Sequence, residues 1–245
     1  MITFKILIIF KVSQFLTFSH KAKSTLDNNN VGKAIISLEP HSFFNESFVH
    51  ITIRKCKLQT IDDEAFKDIH VQKIIISNNP LKELKKNMFV NICVNEFFLS
   101  RNNIKTIEPG TFQTVKPFGV EYMEILSLSF NKLDVVEKGQ FNGLKVRVLE
   151  LDHNKIKFIE AGSFSNMPHL ADLEMIGNKL KRIDTGIFDN MPNMIIMHLA
   201  NNNIEYIDPY AFENTTSVTL FLKYNKCSKL NKEYFKNSNI EWIFA

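Results

Sequence analysis

A phenylalanine recurs along the chain at nearly constant spacing, and this periodicity constrains the fold more than any other feature. Successive phenylalanines of the series are 23, 23, 29, 23, 24, 24 and 23 residues apart, and an asparagine, or once a cysteine, lies ten residues before each of them. A regular period of about 20–50 residues is typical of proteins that stack one structural unit on the next. The phenylalanines are Phe66, Phe89, Phe112, Phe141, Phe164, Phe188, Phe212 and Phe235, and the preceding residues are Cys56, Asn79, Asn102, Asn131, Asn154, Asn178, Asn202 and Asn225.

The aliphatic residues follow the same period. The segment from Val146 to Met167 reads VRVLELDHNKIKFIEAGSFSNM and fills every apolar position of the pattern LxxLxLxxNxLxxLxxxxFxxL. Because side chains alternate across a strand, Leu149 and Leu151 should enter the core while Glu150 faces solvent. The asparagine should follow at a bend, where its amide can bond backbone groups that are otherwise buried unpaired. Each unit then buries its apolar side against its neighbours.

These motifs resemble the leucine-rich-repeat family of extracellular type, and are most similar to insect-type secreted leucine-rich immune proteins and Toll-like ectodomains. The resemblance covers roughly residues 31–245. It implies an α/β-type repeat solenoid, a curved right-handed horseshoe with a parallel β-sheet on its concave face and about eight full repeats. The coiled-coil tail that such immune proteins often carry has no counterpart here, because the sequence contains no heptad run.

Residues 1–19 are predicted to be a signal peptide. Lys5 precedes a mostly apolar run, and Thr17 and Ser19 are small residues at plausible cleavage positions. A membrane anchor or a buried segment is the alternative, but the apolar run is shorter than the ~20 residues of a spanning helix. Removal of Lys5 and Lys11 lowers the formal charge from +4 to +2. We therefore expect neither a membrane span nor a nucleic-acid partner, because the remaining excess charge is small.

The two ends of the repeat array depart from the pattern. Residues 20–47 are expected to form a linker and a capping half-repeat, with the cap from about Val31 to Asn45. The preceding half, from Thr25 to Lys33, is not expected to form a strand because Asn28 and Asn30 occupy inward positions. Residues 48–238 are assigned to eight leucine-rich repeats. Residues 239–245 fit either a degenerate closing strand or a truncated ninth repeat.

The long interval between Phe112 and Phe141 contains an insertion at residues 116–122, KPFGVEY. It is interpreted either as a tolerated connecting loop, since loops accept length changes cheaply, or as a projecting contact element.

Three cysteines leave at least one thiol unpaired in an exported protein. Cys56, Cys93 and Cys227 are interpreted as core thiols, and the alternative is an intermolecular disulfide to a partner through Cys227. Two glycosylation sequons begin at Asn45 and Asn214. Both follow a phenylalanine by two positions, which should direct glycans away from the concave sheet.

The side chains that alternate with the buried ones should line the concave face. Along the array they change from basic to apolar, then acidic, then aromatic and basic. Adjacent strands lie about 4.8 Å apart, so Glu150 and Glu174 should be neighbours, with Asp152 and Asp172 close by. Aromatic anchors among charges favour protein recognition, although any solvated face carries charge. The candidate ligand-binding residues are Arg54, Lys73, Phe98, Phe130, Glu150, Asp152, Asp172, Glu174, His198, Phe221 and Tyr224.

The same acidic residues could form a metal site with His153 and His198, but their spacing matches no short metal-binding motif. The sequence contains no nucleophile elbow, no phosphate-binding glycine loop and no Cys-x-x-Cys pair. We therefore expect no enzyme activity, no catalytic or metal-binding residues and no cofactor.

The leading functional hypothesis is a secreted recognition protein that binds an extracellular protein, or a glycoconjugate, through its concave sheet. A role in innate immunity is implied by the resemblance. The alternative is the ectodomain of a cell-surface receptor or adhesion protein whose anchor is missing from the sequence. An inhibitor or scaffold of the extracellular matrix is a third class. Fold alone does not separate them.

Overall fold

A computed structural model describes residues 24–27, 36–45, 47–164, 166–188, 191–212, 215, 218–226 and 240–243. The predicted signal peptide, the sequon at Asn214, and the residues Cys227 and Phe235 lie outside the described residues. Nowhere in these ranges does a helix have both the length and the apolar character needed to traverse a lipid bilayer.

Each repeat forms one turn of the chain, called a coil below. Strands of two kinds alternate along the described chain, a longer one on one side of each coil and a two-residue one on the other. In chain order they are β1 (Ser24–Asp27), β2 (Ser37–Leu38), β3 (Ser47–Arg54), β4 (Thr60–Ile61), β5 (His70–Ser77), β6 (Glu83–Leu84), β7 (Cys93–Phe98), β8 (Thr106–Ile107), β9 (Met123–Ser127), β10 (Val135–Val136), β11 (Val146–Glu150), β12 (Phe158–Ile159), β13 (Asp172–Glu174), β14 (Arg182–Ile183), β15 (Ile196–His198), β16 (Tyr206–Ile207), β17 (Val218–Phe221) and β18 (Ile240–Ile243).

The longer strands form one ten-stranded sheet in the order β1-β3-β5-β7-β9-β11-β13-β15-β17-β18. Every pair is parallel, so the chain advances by one strand with each coil. The two-residue strands pair on the opposite side as β2 with β4, β6 with β8, β10 with β12, and β14 with β16. This arrangement confirms the predicted repeat solenoid with its parallel sheet. Its outer side consists, in the described ranges, of short strands and turns.

The core is a continuous column of apolar side chains between the sheet and the short strands. Leu149 and Leu151 are fully buried, whereas Glu150 between them is half-buried. The corresponding aliphatic residues of each repeat contact those of the next, so no repeat closes its core by itself.

A buried row of asparagine side chains joins consecutive coils where the chain leaves the sheet. The amide of Asn154 donates to the carbonyls of Leu128 (3.1 Å) and Leu151 (3.0 Å), and its Oδ1 accepts from the N–H of Leu133 (3.1 Å). One side chain thus satisfies backbone groups of two coils. The other members of this asparagine ladder, Asn79, Asn102, Asn131, Asn178, Asn202 and Asn225, make equivalent bonds.

Cys56 occupies the first position of the ladder and is buried. Its N–H donates to Oδ1 of Asn79 at 2.9 Å, and its thiol lies 3.1 Å from the carbonyl oxygen of Arg54. A cysteine suffices here because the next asparagine supplies the bridging amide.

A row of stacked phenylalanine rings runs through the core from one coil to the next. Consecutive ring centroids are separated by 4.9, 5.6, 6.4, 6.0, 5.8, 6.0 and 5.4 Å, and all but one pair are within 14° of parallel. Each ring lies against those of the coils before and after it, which makes the packing continuous. The rings of this phenylalanine spine belong to Phe43, Phe66, Phe89, Phe112, Phe141, Phe164, Phe188 and Phe212.

The amino-terminal end differs from the sequence-based expectation. A strand forms at Ser24–Asp27, although the half-repeat from Thr25 to Lys33 was expected to contain none. It pairs with β3 in the register Ser24↔Ile51, an offset of 27 residues instead of the usual 23 or 24. The pairing thereby begins before Asn28 and Asn30, the polar residues that a 23-residue offset would place inward. At the other end, Ile240–Ile243 pairs with β17 in parallel, as either reading of residues 239–245 requires.

Candidate ligand-binding face

The solvent-facing side of the ten-stranded sheet, here called the sheet face, is formed by side chains that alternate with the buried aliphatic residues. Eight of the predicted ligand-binding residues lie within its strands, and all are exposed or half-buried. Three more lie just beyond strand ends, namely Phe130 after β9, Asp152 after β11 and Tyr224 after β17. The eight are Arg54, Lys73, Phe98, Glu150, Asp172, Glu174, His198 and Phe221.

Four carboxyl groups lie together on β11 and β13 and the turn after β11. Glu150 and Glu174 are directly paired in the parallel register, and Asp172 pairs with Val148. Asp152 Oδ1 accepts a hydrogen bond of 2.6 Å from the backbone N–H of Ile176. Glu150, Asp152, Asp172 and Glu174 are called the acidic patch below.

Burial and mutual repulsion raise the pKa values of two of these carboxyl groups, those of Glu174 and Asp172. The pKa of Glu174 is raised to about 7 by its partial burial, by a hydrogen bond with Asp152 and by the charges of the other three carboxyl groups. Burial also raises the pKa of Asp172, against the opposing effects of His198 and Arg147. Arg147 is already bonded to Glu124 through Nε at 2.9 Å. Negative charge on the acidic patch is therefore unfavourable in the free protein.

Aromatic side chains lie on both sides of the acidic patch. On the carboxyl-terminal side the ring of His198 stacks on Phe221 with centroids 4.6 Å apart. On the amino-terminal side Lys73 lies 5.0 Å above the ring centroid of Phe98. Phe98 and Phe221 are half-buried, which is less exposed than the sequence suggested, and each leaves part of a ring available to a ligand.

A second row of residues borders the sheet face where each strand ends. The residue before every ladder position has a left-handed backbone, which turns the chain sharply out of the sheet. Within this row the guanidinium of Arg101 lies 4.0 Å from the ring centroid of Phe130, and Phe130 stacks on His153 at 4.5 Å. The row, called the rim, comprises Lys55, Asn78, Arg101, Phe130, His153, Gly177, Asn201 and Tyr224, with φ between 51° and 70°.

The rim stack was missed in the sequence, where Arg101 was not among the candidate residues. A usable signal was present, because the residue before each ladder asparagine recurs with the same period as the asparagine itself. The sequence also named His153 only as a possible metal ligand. Among the described residues no group of three or more His, Cys, Asp or Glu side chains could hold a metal ion.

The insertion at residues 116–122 packs against the body of the solenoid near the beginning of the sheet strands. The backbone N–H of Phe118 donates to Oδ1 of Asn95 at 2.7 Å, and the Asn95 amide donates back to the Phe118 carbonyl at 3.0 Å. Tyr122 stacks on His169 with centroids 5.3 Å apart. Val120 remains 57% exposed, so the loop is both anchored and accessible.

The remaining predicted modification sites lie away from the acidic patch. Asn45 is exposed and has a left-handed φ of 50°. Cys56 is buried and Cys93 is half-buried.

Two family models for leucine-rich repeats match consecutive parts of the chain. The model described as "BspA type Leucine rich repeat region (6 copies)" matches residues 15–118. The model described as "Leucine rich repeat" matches residues 121–180 and 176–226. No curated protein sequence matches the chain.

Solved structures of Toll-type receptors share this coil. The Toll–Spatzle complex, described as a hub in Drosophila development and innate immunity, matches with a TM-score of 0.64 and 17% identity over 86% of this chain and 30% of that chain. The complex of TLR13 with ssRNA13 matches with a TM-score of 0.56 and 19% identity over 86% of this chain and 34% of that chain. The chain thus spans about a third of the length of these proteins. It belongs to the leucine-rich-repeat family, and its coil resembles the ectodomains of Toll and Toll-like receptors.

Proposed function

We propose that this chain is a secreted, non-enzymatic recognition protein that binds an extracellular protein through its sheet face. The acidic patch, bordered by half-buried aromatic rings, is the observation that carries the proposal. Carboxylates held partly out of water next to one another are unfavourable, and a cationic side chain of a partner would relieve them. Half-buried aromatic rings beside such charges supply apolar contact area of the kind that protein interfaces use as anchors.

The resemblance to Toll-type structures supports a ligand-binding role, since one of them is solved with Spatzle and another with an RNA. A protein ligand suits this chain better because the acidic patch would repel a phosphate backbone. The predicted signal peptide at residues 1–19 and the sequons at Asn45 and Asn214 support secretion. Innate immunity is the process that we propose, from the fold that the chain shares with Toll.

Affinity capture from extracellular fluid tests the proposed face. The wild type is compared with Glu150→Lys plus Phe221→Ala, which changes both the charge and an aromatic anchor of the sheet face. The matched control is Glu137→Lys plus Phe158→Ala, which makes the same kinds of change at exposed residues on the outer side. We expect the sheet-face variant to lose the captured protein and the outer variant to keep it. Retention by both variants would exclude the sheet face.

A receptor or adhesion ectodomain is the second candidate. It is favoured by the length of the Toll-type chains, of which this chain covers about a third. Sequencing of the full transcript would decide, because a coding sequence that continues past Ala245 into a hydrophobic segment supports a receptor. A disulfide-linked partner at Cys227 is a separate proposal, which non-reducing electrophoresis of the secreted protein tests.

A further inference from the structure

A groove of about 400 Å³ crosses β3, β5 and β7 at the amino-terminal part of the sheet face. Its base includes Ser77 and Ser100, whose side chains are short, whereas long side chains stand around them. The same position of the following repeats is occupied by Ser129, Asp152, Ile176 and Ala200. The Ser100 hydroxyl lies 2.6 Å from the Ser127 hydroxyl, which fixes one side of the base.

Two arginines stand at opposite ends of the groove. Arg54 ends β3 and Arg101 follows β7, so about 10 Å separates the strands from which they project. Both side chains are exposed, and none of the carboxylates that the structure describes lies within ion-pair distance of either guanidinium. Lys73 also lines the groove, but its ammonium group is paired with Glu96 at 2.5 Å. Of the cations that line the groove, the two arginines therefore form no ion pair with a described carboxylate, and Asp27 on β1 is the register partner of Arg54.

The Arg101 guanidinium is held by the rim. It lies over the ring of Phe130, and a guanidinium stacked on a ring keeps its N–H groups directed outward along its edges. These donors suit a planar carboxylate, which accepts two parallel hydrogen bonds from one guanidinium.

Part of the groove lining is apolar. Ile75 and Phe98, paired side by side on β5 and β7, are both half-buried and both line the groove. A ligand that fills the groove needs an anionic group for the arginines and an apolar group for this part of the lining.

We propose that this groove binds an acidic segment of the protein partner, with a Glu or Asp carboxylate between Arg54 and Arg101 and an apolar side chain against Phe98. The inference rests on the proposed function of the sheet face and names the chemistry of the partner at one end of it. The acidic patch lies two strands beyond β7, so the partner that fits both regions carries an acidic group and, about 10 Å or more away, a basic one. A continuous polyanion would meet repulsion at the acidic patch.

Fluorescence anisotropy with short labelled peptides tests the groove. The probe is a Gly-Glu-Phe-Glu-Gly peptide, and the matched probes replace both glutamates by glutamine or by lysine. We expect the glutamate peptide to bind the wild type about tenfold more tightly than the glutamine peptide, as charge-assisted hydrogen bonds predict. Arg54→Gln and Arg101→Gln should each remove most of that preference, whereas Arg182→Gln on the outer strand β14 should leave it unchanged. Thermal melts of all three variants verify folding.

Four outcomes would overturn the groove assignment. The first two are equal binding of the three peptides and a glutamate preference that survives both Arg54→Gln and Arg101→Gln. The other two are tighter binding of a short oligothymidylate than of the glutamate peptide, and absence of glutamate-peptide binding at millimolar concentration. The proposed function fails separately, in the capture experiment with Glu150→Lys plus Phe221→Ala, which leaves every groove residue intact.

Discussion

The imidazole ring of His153 lies against the backbone of Gly177, one coil further along the rim. A Cβ atom at Gly177 would stand 2.6 Å from Nδ1 and 3.0 Å from Cε1 of that ring, which is closer than carbon atoms approach without displacement. On its other side His153 stacks on Phe130. Because Gly177 has no side chain, it leaves room for the ring of His153, which is the last member of the stack that begins with Arg101 and Phe130.

Substitution Gly177→Ala should lower the free energy of unfolding by about 1–2 kcal/mol, because it combines a left-handed φ of +70° with this close contact. Chemical denaturation measures the change. In a His153→Ala background the same substitution should cost less, since the contact is gone and only the backbone strain remains. Equal costs in both backgrounds would mean that the ring moves aside freely.

Substitution Asn154→Ala should destabilise the protein by about 1–3 kcal/mol, since it leaves buried backbone groups of two coils without partners. The control is Asn142→Ala, which removes an exposed amide whose oxygen accepts a hydrogen bond from the side chain of Asn166. The control should change stability by less than about 0.5 kcal/mol. Similar losses in the two variants would argue against the buried ladder as the cause.

Substitution Phe164→Ala should cost about 3–5 kcal/mol, because the ring is fully buried between Phe141 and Phe188 at 5.8 and 6.0 Å. Phe158→Ala serves as the matched control, since that ring is 45% exposed on the outer side. We expect it to be nearly neutral in a thermal melt. A melt of Phe164→Ala that overlays the wild type would exclude the spine packing.

Stability should fall as the pH rises through the titration of Glu174. Its pKa is about 7 in the folded protein against an ordinary value of 4.5, so between these values the folded state holds a proton that the unfolded state has lost. The free energy of unfolding contributed by this group therefore decreases from pH 4.5 to 7. Glu174→Gln should melt at a higher temperature than the wild type at pH 8, and the difference should shrink towards pH 5. A difference that is constant with pH would contradict the shifted pKa.

Substitution Asn95→Ala should release the insertion, because it removes both hydrogen bonds to the backbone of Phe118. Limited proteolysis should then cut between Lys116 and Tyr122 several-fold faster, with the melting temperature little changed. Asn103→Ala is the control, because Asn103 takes no part in these two hydrogen bonds. Unchanged cleavage would mean that the stacking of Tyr122 on His169 suffices to hold the loop.

The periodicity of the sequence was sufficient to predict the coil because burial and strand pairing both depend on it. Leu149 and Leu173 are 24 residues apart, and the same spacing that buries both also pairs them in register. The neighbouring positions of Glu150 and Glu174 follow from the same arithmetic. The acidic patch could therefore be located from the sequence, as neighbours on a regular sheet.

The features that the sequence did not predict depend on conformations that repeat spacing does not encode. The register of β1 is offset because the first half-repeat lacks aliphatic residues at the usual positions. The stack of Arg101 on Phe130 requires a left-handed turn and particular side-chain rotamers. The groove between Arg54 and Arg101 is lined partly by Ser77 and Ser100, and a hydrophobic pattern does not distinguish such short polar residues from longer ones.

The rings of Phe112 and Phe141 remain stacked at 6.0 Å although 29 residues separate them, where 23 separate Phe89 from Phe112. The additional residues lie outside the phenylalanine spine, so the spacing between consecutive coils is unchanged. Changes in loop length at this place therefore leave the stacking of the coils unchanged. The exposed loop can vary in evolution while the solenoid that carries it keeps its packing.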